Sequence, residues 1–234
     1  MNGITPFRTE LRSKLVLPGC PLCRLAREDD DRYLRSLLRE GLSSAGMLDR
    51  LALSGGFCGE HAWGLQRMEE RKWHDGLTNA SYQRAVVAEM LASLDHAPTS
   101  RRARSRTRRA GSTAVCPACV QRVRAAQIRV SKVAEALADG PTLELFTQRR
   151  EGFCLPHYRD LSGEELPETT RRLLQELQRQ QLRRLLDDLD GYIRKHHWDV
   201  HEPRLPDEET SWKDAVAMLS GQPCSPCRDL STSE

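Results

Sequence analysis

Cys20-Pro21-Leu22-Cys23 and Cys58-Gly59-Glu60-His61 together supply three thiols and one imidazole. That is one of the standard donor sets for a tetrahedral metal ion. The set occurs twice, because Cys116-Pro117-Ala118-Cys119 is followed by Cys154-Leu155-Pro156-His157. In both copies 34 residues separate the CPxC motif from the second motif, and every ligand candidate is displaced by 96. Gly56-Phe57 and Gly152-Phe153, just before the third cysteine, obey the same offset. A CxxC or CxxH pair can aim both side chains at one ion because positions i and i+3 share a face of a helical turn. Proline in second place fits the first helical position, where its missing N–H is no loss. Each ligand pair is therefore expected at a helix N-terminus. Zinc with three thiolates and a neutral imidazole carries one net negative charge, which free N–H groups and the positive helix end favour. The equal gaps predict that each copy closes its own site and that the chain holds two zinc ions. Cys20, Cys23, Cys58 and His61 would form one site, and Cys116, Cys119, Cys154 and His157 the other.

Rival chemistries are weighed on the same residues. An iron–sulfur cluster is the alternative metal reading, although such clusters usually take four cysteines. Dithiol redox chemistry is a second alternative, since CPxC at a helix start resembles the motif of glutaredoxin and related oxidoreductases. That fold needs a strand before the motif, and Val16-Leu17-Pro18 is a weak one. Haem attachment through CxxCH is excluded, because Arg24 and Val120 occupy the histidine position. Cys224 and Cys227 have no CxxH after them. They could hold a third metal with His196, His197 or His201, form a free thiol pair, or be incidental. Glu60 is expected to be solvated or to bond outside the ligand set, because the second copy has Pro156 there.

The elements that must position these ligands read as helices throughout. Leu22, Leu25, Leu34, Leu37 and Leu38 keep one face from Pro21 to about Gly41. A short helix follows around Met47 to Leu53, and then a helical stretch from Glu60 to about Leu94 with Gly76 as a candidate break. After the second CPxC a helix is expected to about Ala138, with Val130 and Val133 standing where Leu34 and Leu37 stood. Further helices are expected at 143–148, 168–195 and 209–219, and no segment reads as a strand. Residues 1–19 show no period and read as an arm docked through Leu15, Val16 and Leu17. The expected organisation is a first metal-binding repeat over 1–95 and an Arg-rich linker over 96–114. A second repeat over 115–200 and a loop, helix and Cys-bearing tail over 201–234 complete it.

Composition narrows the class. Of 234 residues, 38% are hydrophobic and 29% charged, with twelve aromatics, which suits a helical protein with a Leu- and Ala-rich core. The formal charge is +3, but six arginines lie between Arg101 and Arg109, and without them it falls to −3. That run could grip phosphates, so nucleic acid is a candidate partner. It lacks interleaved aromatics for stacking on bases, and a solvated linker is the plainer reading. No run approaches the ~18 apolar residues of a membrane span, and no secretory signal is evident. The default is a cytoplasmic protein, where eight cysteines point to metal or redox chemistry rather than structural disulfides.

The paired CPxC and GFCxxH motifs resemble those of an uncharacterised bacterial family, a domain of unknown function. The segment from Tyr192-Ile193-Arg194-Lys195 through Ser211-Trp212 to Gly221 is similar to that family's C-terminal part. The resemblance implies an all-helical, cytosolic, bacterial protein and supplies no reaction. The reading reached from the residues is an all-α bundle of two tandem repeats, each pinned by a Cys3His zinc site. It would be non-enzymatic and would bind a macromolecular partner, with a redox or iron–sulfur protein as the alternative.

Overall fold

The computed structural model describes residues 6–40, 45–72, 75–95, 115–149 and 151–222. The Arg101–Arg109 run and the Cys224/Cys227 pair lie outside them. Among the described residues there are ten helices and no strand. They are α1 Pro6–Leu15, α2 Pro21–Glu40, α3 Ala45–Ser54, α4 Gly59–Lys72 and α5 Leu77–Asp95. The second half supplies α6 Pro117–Leu137, α7 Gly140–Thr147, α8 Leu155–Ser162, α9 Glu168–Arg194 and α10 Pro206–Ser220. No helix among them is long and apolar enough to cross a membrane.

The chain divides into two compact units, and neither is a consecutive repeat. Among the described residues, one unit takes in 6–26 with 126–222, and the other lies within 27–125. Each unit thus takes part of both halves of the sequence, a division different from the one at 1–95 and 115–200. The first turns of α2 belong to one unit and the rest to the other, and α6 is shared out in the opposite sense.

The first unit is built on α1, the start of α2, the end of α6, and α7 to α10. Its core joins Leu11 and Leu15 of α1 to Leu22 and Leu25 of α2, Val130, Val133 and Leu137 of α6, and Phe146 and Phe153. The two phenylalanine rings stack at 4.9 Å. The expected arm is a helix. Leu11 and Leu15 are fully buried, whereas Val16 and Leu17 are exposed. Burying a leucine contributes roughly 1.5–3 kcal/mol, and those two side chains decide where α1 docks. Arg8 and Arg12 fix its far side to Asp139, and Arg129 fixes Glu10.

The second unit holds the rest of α2, with α3, α4, α5 and the start of α6. Leu34, Leu37 and Leu38 of α2 meet Met47 and Leu51 of α3, Leu65 of α4, and Tyr82 and Val86 of α5. The Tyr82 hydroxyl donates to the Leu37 carbonyl at 2.8 Å. The break at Gly76 is present, with φ +71°. Buried Glu69 caps the helix after it, accepting from the Thr78 and Asn79 N–H groups at 2.8 and 2.9 Å. Those N–H groups have no intrahelical partner and would otherwise be unsatisfied.

Candidate metal centres

All four ligand pairs are placed in the same way. Each opens a helix, with its first ligand just before the first helical residue and its second three positions on: Cys20 and Cys23 at α2, Cys58 and His61 at α4, Cys116 and Cys119 at α6, Cys154 and His157 at α8. The carbonyl of the first ligand accepts the first intrahelical bond each time, from Arg24, Ala62, Val120 and Tyr158. Pro21 and Pro117 begin their helices as the sequence requires. The side chain at the cap position and the one at N3 therefore point out over the same helix end.

The pairs converge across the two halves of the sequence. Cys20, Cys23, Cys154 and His157 form one cluster, and Cys58, His61, Cys116 and Cys119 form the other. The expectation that each copy closes its own site is corrected. Cys58 and His61 arrive beside the middle of α2, where Asp30 lies, and the start of α6 with Cys116 and Cys119 is there to meet them.

Within each cluster the four donor atoms lie within 4.8 Å of one another. In the first, Cys23 and Cys154 Sγ are 3.6 Å apart, and His157 Nδ1 is 3.5, 3.4 and 3.1 Å from Cys20, Cys23 and Cys154. In the second, Cys58 and Cys119 Sγ are also 3.6 Å apart. His61 Nδ1 lies 3.2, 3.4 and 3.7 Å from Cys58, Cys119 and Cys116. A tetrahedral ion with bonds of ~2.3 Å to sulfur and ~2.0–2.1 Å to nitrogen sets S···S edges of about 3.8 Å and S···N edges of about 3.6 Å. The residues present fit one ion per cluster. Two helix N-termini point at each cluster, which is the polarity a net anionic centre needs.

Burial raises Cys20, but hydrogen bonds with Cys154 and Cys23 outweigh it and hold its thiol well below the usual range. Cys154 is driven upward by the same hydrogen bonds to Cys20 and Cys23, with burial adding to them. In the other cluster Cys119 is pushed up to about 12 by burial, hydrogen bonding to Cys58 and the charge of Cys116. A cation held by three thiols displaces their protons.

The surroundings of the two clusters differ. At the first, the N–H of Gln222 donates to Cys23 Sγ at 3.3 Å. Gly221, at φ +77°, comes so close that a Cβ there would lie 3.5 Å from both Cys23 and Cys154 Sγ. Arg149 gathers the carbonyls of Leu15, Leu17 and Gly19 and so fixes the turn before Cys20, while Glu151 accepts from the Gly19 N–H. At the second, Arg122 donates to both oxygens of Glu60 at 2.8 and 3.0 Å and lies 2.8 Å from His61 Nε2. Its Nε is 2.7 Å from Asp30 Oδ2, an ion pair. A metal-bound histidine usually donates its second ring N–H to an acceptor, whereas the group nearest His61 Nε2 is the Arg122 guanidinium, which has no acceptor to offer. Glu60 is thus bonded outside the ligand set. The sequence carries no signal for Arg122, whose counterpart at the repeat offset is Ala26, nor for Asp30, Arg149 or Gln222. Gly221 was visible only as the end of the last helix. His196 bonds the Tyr192 carbonyl and Arg204. It joins neither cluster.

A model of the Family of unknown function (DUF6062) matches residues 16–223, and the chain belongs to that family. No curated protein and no solved structure matches it.

Proposed function

We propose that the chain is a non-enzymatic helical protein in which two structural zinc ions tie together helices distant in sequence, and which acts by binding a macromolecular partner. The observation that carries this reading is the pair of clusters whose donor atoms lie within 4.8 Å of one another. Zinc is favoured because Cys3His is one of its standard structural sets and the spacing is that of a single ion. A multi-iron cluster would need its sulfurs spread around several metal atoms. The protein supplies all four donors at each centre, which leaves no coordination position for water or substrate and favours a structural role over catalysis. Burial of Cys20, Cys23 and Cys154 also weighs against the redox reading, since a dithiol enzyme must present its nucleophile.

Apparent zinc-binding energies in small folded peptides are about 10–16 kcal/mol, comparable with the roughly 5–15 kcal/mol that stabilises a whole domain. Each ion would therefore decide whether its unit folds. The test is elemental analysis of full-length protein purified without oxygen. Two zinc ions per chain and no visible absorbance are expected. Iron with visible absorbance, or protein that folds fully without metal, would overturn the reading.

A further inference from the structure

Helices α9 and α10 run antiparallel and share a seam in which Gln178 meets Met218 at 3.5 Å and Glu208 meets Lys195 at 2.8 Å. On one side of that seam Arg184, Asp188, Asp207 and Asp214 line a polar cleft beside Cys20 and Cys154. The other side is apolar. One residue further round each helix stand Leu186, Leu189 and Ile193 on α9, and Trp212, Val216 and Leu219 on α10. Their spacing of three and four keeps each set on one stripe. In antiparallel neighbours the residue after each seam position turns to the same side, so the two stripes join into one face. Leu186 is 57% exposed, Ile193 58%, Trp212 49%, Val216 60% and Leu219 55%. Half-exposed side chains of roughly 100 Å² each give about 500 Å² of apolar surface, near the top of the ~300–600 Å² of a monomer's largest patch.

We infer that this face is a self-association surface, on which a second copy of the chain docks α9 and α10 to complete a four-helix layer. Three observations favour a second copy. First, the face is made of two antiparallel helices with a stripe each, which is half of such a layer. A two-fold axis through its centre brings the same stripes onto each other. With a polar rim, about 500 Å² of apolar surface approaches the ~800 Å² per partner of a standard interface. Second, the rim carries both signs, Arg183 beside Asp187 on α9 and Glu209 near Lys213 on α10. A mixed rim can pair with itself, whereas a nucleic acid or a strongly charged partner would call for one sign. Third, the longer stretches outside the described residues offer no apolar complement. Residues 96–114 are rich in Arg, Ser and Thr, and 223–234 contain one large aliphatic residue, Leu230.

The inference goes beyond the zinc reading and does not depend on which ion is bound. It is tested by light scattering coupled to size exclusion on the full-length, metal-loaded protein at about 50–100 µM under reductant. Twice the chain mass of 26.6 kDa is expected, falling toward the single mass on dilution. Leu186→Glu and Val216→Glu should each return the single mass with helicity and metal content unchanged. Leu91→Glu, on the exposed side of α5, should leave the dimer intact. A wild type that stays at the single mass at the highest concentration would overturn the inference. So would a dimer that survives both substitutions, or one broken only by Leu91→Glu. Metal content measured on the same samples reports on the zinc reading separately.

Discussion

At the scale of single residues the clusters make a prediction that pairing within each half of the sequence would not. Cys58→Ser and Cys116→Ser strike the same centre, so each should lower bound metal from two ions to one, and the double variant should lose no more. Cys20→Ser with Cys58→Ser should lose both. Elemental analysis of these four proteins decides the pairing, and the opposite pattern would restore the consecutive arrangement. Gly221 supplies a second residue-level test. Its φ of +77° with ψ of 169° is a conformation that only glycine adopts without strain. A Cβ there would stand 3.5 Å from two ligand sulfurs. Gly221→Ala should therefore speed metal loss to a chelator from the Cys20 centre while the Cys58 centre keeps its rate. Equal loss from both would mean that the Gly221–Gln222 segment does not support the first centre.

At the scale of elements the sequence was legible wherever a helix kept an apolar face. Leu34 and Leu37, and their counterparts Val130 and Val133, are buried as their shared period required. The boundaries of α2, α6 and α9 fall close to where periodicity put them. Helix α1 was missed although Phe7, Leu11 and Leu15, at i, i+4 and i+8, line its packed face; three positions in a ten-residue helix make a short signal. The start of α10 was placed three residues late because its cap is not a cap residue. Leu205 stands before the helix, and its N–H is taken by the side chain of Glu208 at 2.7 Å. That carboxylate also accepts from Lys195 at 2.8 and 2.9 Å. It reaches them by passing over Gly191, where a Cβ would lie 2.4 Å from Glu208 Oε1. Alanine in mid-helix normally stabilises by ~0.8–1 kcal/mol relative to glycine. Here Gly191→Ala should lower the melting temperature, because the carboxylate must give up Lys195 or the cap to make room. A raised melting temperature would show that Glu208 relocates at no cost.

The same group sets a pH dependence. Hydrogen bonds from Lys195 and the Leu205 N–H hold the Glu208 carboxyl below the usual range. A lowered folded pKa contributes stability that is present above the unfolded value of about 4.3 and is lost as pH falls through the folded value. Denaturation midpoints of wild type and Glu208→Gln should therefore differ by a constant amount above about pH 5 and converge in acid. Taking the difference removes the acid sensitivity of the metal centres, which both proteins share. A gap that widens in acid would contradict the assignment.

At the scale of the whole molecule, the eight cysteine and histidine residues that cluster were legible as two equivalent sets, and their grouping was not. The offset of 96 fixes which residues correspond, and the motif fixes that each pair opens a helix. Neither says which pair meets which. Two equivalent CPxC motifs and two equivalent CxxH motifs can close as neighbours or crosswise with the same donor count. The folded chain shows the crosswise closure. The consequence is that neither half is self-sufficient. A fragment ending at residue 95 keeps two ligands of each centre, and so does a fragment beginning at 115. The cut also divides the first unit's core, taking Val130 and Val133 from Leu22 and Leu25, whereas the second unit's core lies wholly within 1–95 and loses only the helix start that carries Cys116 and Cys119. Each fragment alone should bind zinc weakly, having two of the four donors of each centre. Co-expressed, the two should assemble into a complex that holds two ions, since both ligand sets and the divided core are then complete. Size exclusion with elemental analysis reads the outcome directly. If the fragment 1–95 alone held one zinc ion tightly and melted cooperatively, Cys20, Cys23, Cys58 and His61 would have to meet in one place, and the crosswise arrangement would be wrong.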